Sequence, residues 1–335
     1  MSTVNRTGSG ILEKEMPGAI KADSPKPHIS RIFFGTAMAP VMTDEPQAAE
    51  LLDRVLEAGV NAFDCARSYG RAENTLGQWM ESRGCRDRIT LLTKGGDIRD
   101  GVVKVNRGVI LEQLAMSLEA LRTPSVDIYL LHRDDPNTPV GETIETLNEV
   151  LEAGKVRAFG VSNWTHQRIA EANQYAETHG LKGFTWSSPN YGLALQVRDL
   201  WGGGCVTISG PENREARKWY LENHMPIIAY SSLGRGFFSG RFRAGDEEGA
   251  RRVLDSYAQK GYLAPENMER LRRAEQLAER DGMTVPEIAM RYVFASPMDV
   301  YAVVSTASPD RLRMNLRAAA HPLSREDAEW LEEGD

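Results

Sequence analysis

Short runs rich in β-branched and aromatic residues recur along the chain, with amphipathic segments between them. The runs are RIFFGT from Arg31, VNAFDCA from Val60, ITLLTK from Ile89, VDIYLLH from Val126, VRAFGVS from Val156, GFTWSS from Gly183, IIAYSS from Ile227 and VYAVVS from Val300. Their starts lie 29, 29, 37, 30, 27, 44 and 73 positions apart. A strand with its returning helix takes about 30 residues, so the first five intervals each hold one unit and the last two carry insertions. The intervals read as helices. Residues 44–59 open acidic, place Leu51, Leu52, Val55 and Leu56 on one face, and stop at Gly59. Residues 106–122 repeat the pattern with Asn106 as cap and Ile110, Leu111, Leu114, Leu118 and Leu121 as the apolar face. Residues 143–154 end on another Gly, and Ser308 caps a helix over 309–319.

Strands that alternate with helices build a parallel sheet, and several runs are apolar on both faces, as a doubly covered sheet requires. Eight units close into an α/β fold of the (β/α)8 TIM-barrel type. We expect a single domain over 29–335, with long loops after strands six and seven. Residues 1–28 are polar and contain Gly and Pro, which suits an N-terminal arm or a cap on the barrel floor. The competing architecture, an open doubly wound sheet, is disfavoured because no GxGxxG follows the first strand.

Composition narrows the function. Hydrophobic residues make up 41% and charged residues 26% of the 335, as in a soluble globular protein. A net charge of -7 argues against nucleic-acid binding, which needs a basic footprint. Cys65, Cys85 and Cys205 are far apart and form no CxxC pair, so neither a zinc site nor a disulfide framework is expected. HxH and HExxH spacings are absent, so no metal is expected. There is no apolar run of membrane-spanning length and no secretory-type apolar stretch near residue 1, which makes a cytoplasmic location the expectation.

A barrel enzyme carries its chemistry at the C-terminal ends of its strands. In this chain those positions are Gly35-Thr36, Asp64 with Tyr69 five residues on, Lys94, His132, Ser162-Asn163, Ser187-Ser188 with Asn190, Tyr230-Ser231 and Ser305-Thr306. Each has a plainer reading. Asp64 could cap a helix, Tyr69 could be a packed aromatic, and His132 could be structural. Lys94, between ITLL and two glycines, is harder to dismiss, because a buried Lys wants an acidic partner. Together the four suggest proton transfer to a carbonyl oxygen. A phenol has a reference pKa of about 10; a neighbouring ammonium lowers it, a carboxylate fixes the ammonium, and a His orients the carbonyl.

The stretch FDCARSYGRAENTLGQWM from Phe63 resembles the signature of the aldo-keto reductase superfamily. LLTKGG, LLHRDDP, FGVSNW, AYSSLGRGFFSG and STASPDRLRMNLRA are similar to later family blocks, in order, from about Ile32 to about Ala319. The resemblance implies that Asp64, Tyr69, Lys94 and His132 form the catalytic tetrad, with Tyr69 as general acid. It implies NADP (NADPH), with NAD as the lesser option, bound across the barrel mouth without a Rossmann fold. The implied cofactor residues are Gly35, Thr36, Asp64, Ser162, Asn163, Ser188, Tyr230, Ser231, Leu233, Arg235, Gly236, Ser305, Thr306, Arg311 and Asn315. Ser162 and Asn163 match the pair on the carboxamide, Tyr230 the ring stacked on the nicotinamide, and Arg311 and Asn315 residues around the adenosine phosphate and adenine. The chain departs from the family where Gln is common (Ser188 here) and where some members place a phosphate-binding Lys (Ser305 here).

Arg133 puts a cation beside His132, with Asp134 or Asp135 as its plain partner. Trp164 and Trp201 are the expected substrate-facing aromatics beside Tyr69 and His132. Trp201 sits in LQVRDLWGGGCVTISGPE and could equally be a packed loop residue. The expected activity is reduction of an aldehyde or ketone, sugar-like in its polarity, to an alcohol. The alternatives are a Schiff-base lyase or aldolase using Lys94, and a cofactor-sensing regulatory subunit.

Overall fold

Side-chain alternation within the eight runs decides the layering. In the computed structural model, which describes residues 28–99, 102–201 and 203–334, each run contains one strand. They are β1 (Ile32–Gly35), β2 (Ala62–Asp64), β3 (Thr90–Gly95), β4 (Val126–Leu131), β5 (Val156–Ser162), β6 (Trp186–Ser188), β7 (Ile227–Ala229) and β8 (Val300–Val304). All pair in parallel, neighbour to neighbour, and β8 returns to β1 through Ile32 opposite Ala302, so the sheet closes into a barrel. The (β/α)8 fold and the single domain are as the sequence led us to expect. The proposed arm over 1–28 lies outside the described residues except for residue 28.

Successive strand residues face opposite sides. Phe33, Ala62, Leu92, Ile128, Leu130 and Ile228 fill the barrel interior, with Trp186, Tyr301 and Val303 packed against them. Their chain neighbours Ile32, Phe34, Phe63, Leu91 and Tyr129 belong to the larger core under the helices. Parity then fixes where each interior row ends. Stepping by two from the interior residues leads to Gly35, Asp64, Lys94, His132, Ser188, Tyr230 and Ser305. One strand pattern thus both fills the barrel and aims its last interior position at the C-terminal mouth.

The helices start and stop on local chemistry. The first, Ala48–Glu57, begins after Asp44, whose φ of 57° makes a turn of the expected acidic start. Asn106 Oδ1 accepts from Val109 N at 3.1 Å, and Ser308 Oγ accepts from Arg311 N at 3.4 Å, so both expected caps form. The insertion after β7 is largely helical rather than a long loop: Glu247–Val253, Ser256–Tyr262, Pro265–Asp281 and Val285–Ala295. Asp246 and Asp255 cap the first two of these, and Pro265 opens the third. The short antiparallel pair of Ile98–Arg99 with Val102–Val103 was not anticipated. Among the described residues no helix is long and apolar enough to cross a membrane.

Gly77 lies inside the helix Ala72–Arg83, where Ala is ordinarily the better residue by about 1 kcal/mol. Here a Cβ would stand 2.4 Å from the carbonyl oxygen of Ala120 and 2.8 Å from the backbone carbon of Leu121. Backbone cannot rotate away, so Gly77→Ala should destabilise by about 1–3 kcal/mol. Scanning calorimetry should show a lower Tm for the variant.

Candidate active site

The rows that end at the mouth converge on a cavity of about 890 Å³. Asp64 and Lys94, at the ends of β2 and β3, are buried and form an ion pair. Lys94 Nζ also donates to the Cys65 carbonyl at 3.0 Å and lies 3.4 Å from the Tyr69 hydroxyl. Tyr69 sits on the turn before the helix Ala72–Arg83, its N–H bonded to Ala66 O at 3.0 Å and its carbonyl to Ala72 N at 2.9 Å. Glu73 on that helix braces the turn, pairing with Arg67 and accepting from Thr93 Oγ1 at 2.7 Å. His132 stands edge-on to Tyr69, with ring centroids 5.8 Å apart. Its Nδ1 lies 3.4 Å from Ser68 Oγ and 3.4 Å from Asp97 Oδ2.

Electrostatics assign protonation states. Burial pushes Asp64 up, opposed by the Lys94 ammonium. Burial is the largest influence on Lys94 and works against its charged form, but the Asp64 carboxylate, together with neighbouring Tyr69 and Cys65, holds the ammonium above its ordinary range. The phenol corrects the sequence reading. Burial pushes Tyr69 up to about 12, and the Lys94 ammonium only partly offsets that rise. Tyr69 is therefore a neutral, protonated donor at neutral pH. Burial, then Lys94, drives His132 down to about 3, so its imidazole is neutral. The contact between His132 and Asp97 is then no ion pair.

The other expected residues sort into two groups. Gly35, Ser162, Asn163, Ser188, Tyr230, Ser231, Leu233, Arg235, Gly236, Ser305, Thr306, Arg311, Asn315 and Trp201 all line the cavity. Asn163 is fixed from several sides: its Nδ2 donates to His132 O at 3.2 Å and Ser162 Oγ at 3.1 Å, while its Oδ1 accepts from the Tyr230 hydroxyl at 2.7 Å. Ser162 and Ser188 hydroxyls donate to the carbonyls of Ser188 and Ile228 at 3.0 and 2.7 Å. Ser305 Oγ donates to Gly35 O at 2.8 Å.

Thr36 and Trp164 do not line the cavity. Thr36 is buried and its hydroxyl donates to the main-chain carbonyl of Asp64 at 2.9 Å, so it ties β1 to the end of β2 outside the cavity. Trp164 is 1% exposed, packs edge-on against Phe184 and donates to Arg133 O at 3.1 Å; it is core, not a substrate-facing ring. Arg133 turns inward into the cavity lining rather than pairing with Asp134 or Asp135. Sequence reasoning missed Ser68, Asp97, Ser239, Arg241 and Asp255 as lining residues. The GGD following Lys94 was the available signal for Asp97.

Three buried polar atoms in this lining have no partner among the described residues: Arg133 Nε, Arg235 Nε and Asn315 Oδ1. Burying such groups unsatisfied is costly, which makes them candidates for ligand contacts. Ser231 and Arg235 adopt φ of 53° and 51°, and Gly236 a φ of 96°, so this loop is held in a special shape beside the cavity. An acceptor midway along the helix Pro309–Ala320, guanidinium donors and an aromatic ring just after β7 would suit a nicotinamide dinucleotide. Asn315 would face its adenine, Arg235 its phosphates and Tyr230 its nicotinamide.

The sequence pattern of the Aldo/keto reductase family matches residues 31–334. Aldo-keto reductase YhdN of Bacillus subtilis is 27% identical over 314 residues, 89% of this chain and 87% of its own. Norsolorinic acid reductase B of Dothistroma septosporum is 28% identical over 298 residues, 85% of this chain and 71% of its own. The solved structure of the thermostable aldo-keto reductase Tm1743, in complex with the inhibitor epalrestat, shares the fold with a TM-score of 0.66 at 22% identity, over 92% of this chain and 96% of that one. The chain belongs to the aldo/keto reductase family, oxidoreductases that use nicotinamide cofactors.

Proposed function

We propose that this protein reduces an aldehyde or ketone, hydroxylated in the manner of a sugar, to the alcohol, with NADP(H) preferred over NAD(H). The observation that carries the reading is the Tyr69 hydroxyl 3.4 Å from an ammonium paired with Asp64, inside one cavity with the orphaned Asn315 acceptor. A reduced nicotinamide held beside Tyr230 would supply hydride to the carbonyl carbon. Charge then develops on the carbonyl oxygen. Tyr69 gives that oxygen its proton, and Lys94 stabilises the phenolate left behind. Asp64 keeps the ammonium charged and in place. Ser68 can donate to His132 Nδ1, which leaves an Nε2–H to orient the carbonyl oxygen.

The Schiff-base alternative is opposed by the same pair. An attacking amine must be neutral, whereas Asp64 holds Lys94 as ammonium. For the cofactor preference, Arg241 and Arg311 line the cavity together with Asn315 and are the cations available to a ribose phosphate. They support NADP(H) even with Ser305 where some relatives carry a Lys.

Three outcomes test this reading. Tyr69→Phe should cut carbonyl-dependent oxidation of NADPH by about 10²- to 10⁴-fold and leave NADPH binding nearly unchanged; normal turnover would remove Tyr69 from the proton-donor role. With His132 down to about 3 and Tyr69 up to about 12, kcat/KM for reduction should be flat across the neutral range. The donor is lost only as pH rises towards the phenol's pKa, so a break near the ordinary His value of about 6.5 would contradict the assignment. Arg241→Ala and Arg311→Ala should each weaken NADPH binding about tenfold, a loss of about 1.4 kcal/mol, and weaken NADH binding less, by titration calorimetry.

A further inference from the structure

The two glycines that follow Lys94 take no part in the proton transfer, yet they shape the end of β3. Lys94 lines the cavity, so Gly95 by parity faces the other way, towards the helix Arg107–Ala120. A Cβ at Gly95 would stand 2.0 Å from the Tyr129 hydroxyl oxygen and 3.1 Å from Gln113 Oε1. With no side chain there, both groups close on the main chain of the strand from its outer side. Gln113 is 3% exposed, and its Oε1 accepts from Gly96 N at 2.8 Å. Gly96, with a φ of 73°, turns the chain out of the strand.

Residues 94–96 are thereby held from three sides. Lys94 O accepts from Arg67 N at 2.9 Å, in the turn that carries Tyr69. Gly95 O accepts from His132 N at 2.7 Å. Gly96 N donates to Gln113, which comes from the helix packed outside β3. The first two ties are main chain to main chain and link Lys94 to the Tyr69 turn and to His132. The third is made by a side chain and anchors the segment from outside the barrel. A buried N–H that loses its acceptor is costly, so without Gln113 the strand end would shift to recover a partner. The carbonyls of Lys94 and Gly95 would shift with it, and with them the Tyr69 turn and the His132 main chain.

We propose that Gln113 is a positioning residue for the reduction: by holding the Gly96 N–H it fixes the end of β3, and with it the spacing of Lys94, Tyr69 and His132. This role rests on the reductase reading and adds to it a residue that does not line the cavity. Its influence passes through the main chain. The Tyr69 hydroxyl lies 3.4 Å from Lys94 Nζ, at the edge of hydrogen-bond reach, so a small movement of the strand end decides whether the two groups meet. A misplacement of about 1 Å can cost about 100-fold in rate. Gln113 has no contact with the space a cofactor would fill, so its loss falls on turnover and spares NADPH binding. What the position requires is an acceptor at the right reach. Glutamate keeps that acceptor at the same length, whereas methionine keeps the length and offers only a weakly accepting sulfur.

The test compares the wild-type enzyme with Gln113→Met and Gln113→Glu in the reduction of 2,3-dihydroxypropanal by NADPH. For each protein kcat and KM are determined separately, the Kd of NADPH is measured by fluorescence titration, and Tm is recorded. Gln113→Met should lower kcat by about 10- to 100-fold, while KM and the Kd of NADPH stay within about threefold of wild type. Gln113→Glu should keep kcat within about threefold, whatever its Tm, which separates a loss of position from a loss of stability. Gln113→Asn, whose acceptor falls one carbon short of Gly96, repeats the Met experiment should that protein not fold. A wild-type kcat without the acceptor, an equal fall of kcat in the Met and Glu proteins, or a loss confined to NADPH binding would overturn the positioning role and leave the reductase reading standing. No carbonyl-dependent oxidation of NADPH by the wild type would overturn the reductase reading and the positioning role with it.

Discussion

A buried ammonium cannot stand without a counter-charge, and the Lys94–Asp64 pair is where this barrel meets that constraint. Both groups are at the C-terminal ends of neighbouring strands, where the closed sheet gives them little room to separate. Removing either partner would leave a lone buried charge, which is far more costly than the intact pair is stabilising. The arrangement therefore serves position more than stability. It fixes a positive charge 3.4 Å from a phenol that burial keeps neutral. In the proposed mechanism the phenol would keep its proton until a developing oxyanion needs it, and the ammonium would stabilise what remains. Burial and the ammonium act on Tyr69 in opposite directions; burial prevails in the resting site, and the ammonium matters most once the proton has left.

The barrel explains how residues distant in sequence reach one place. Side chains alternate along each strand, so filling the interior with Phe33, Ala62, Leu92, Ile128 and Ile228 also commits the parity of the residues that follow. Asp64, Lys94, His132 and Tyr230 share the parity of those core residues. Tyr69 alone of the four tetrad residues comes from a turn, and it is held by a buried acid, Glu73, that reaches both the turn and β3. Fold and site are two consequences of one pattern.

The architecture was legible because it rests on that repeated local pattern, with each apolar run giving one strand in the expected order. The grouping of Asp64, Tyr69, Lys94 and His132 was legible because strand ends are few and Asp64, Lys94 and His132 are conspicuous among small neighbours. What could not be read depends on tertiary direction. Trp164 follows Asn163 and looked like a rim residue, but the turn after β5 sends it into the core against Phe184. Thr36 follows Gly35 and so has the opposite parity, which puts it against the main-chain carbonyl of Asp64 rather than in the cavity. Arg133 has acidic neighbours in sequence, yet it turns into the cavity lining. The direction of the Tyr69 shift was also hidden, because the ammonium is written in the sequence and the depth of burial is not.

The account turns on where the proton of residue 69 resides. Tyrosine labelled with ¹³C at Cζ, with the Tyr69→Phe protein to assign the signal, reports this by NMR as pH is raised. The account predicts a neutral phenol signal through the neutral and moderately alkaline range, with titration only towards about 12. A phenolate signal at neutral pH, or a midpoint below the ordinary tyrosine value of about 10, would contradict it.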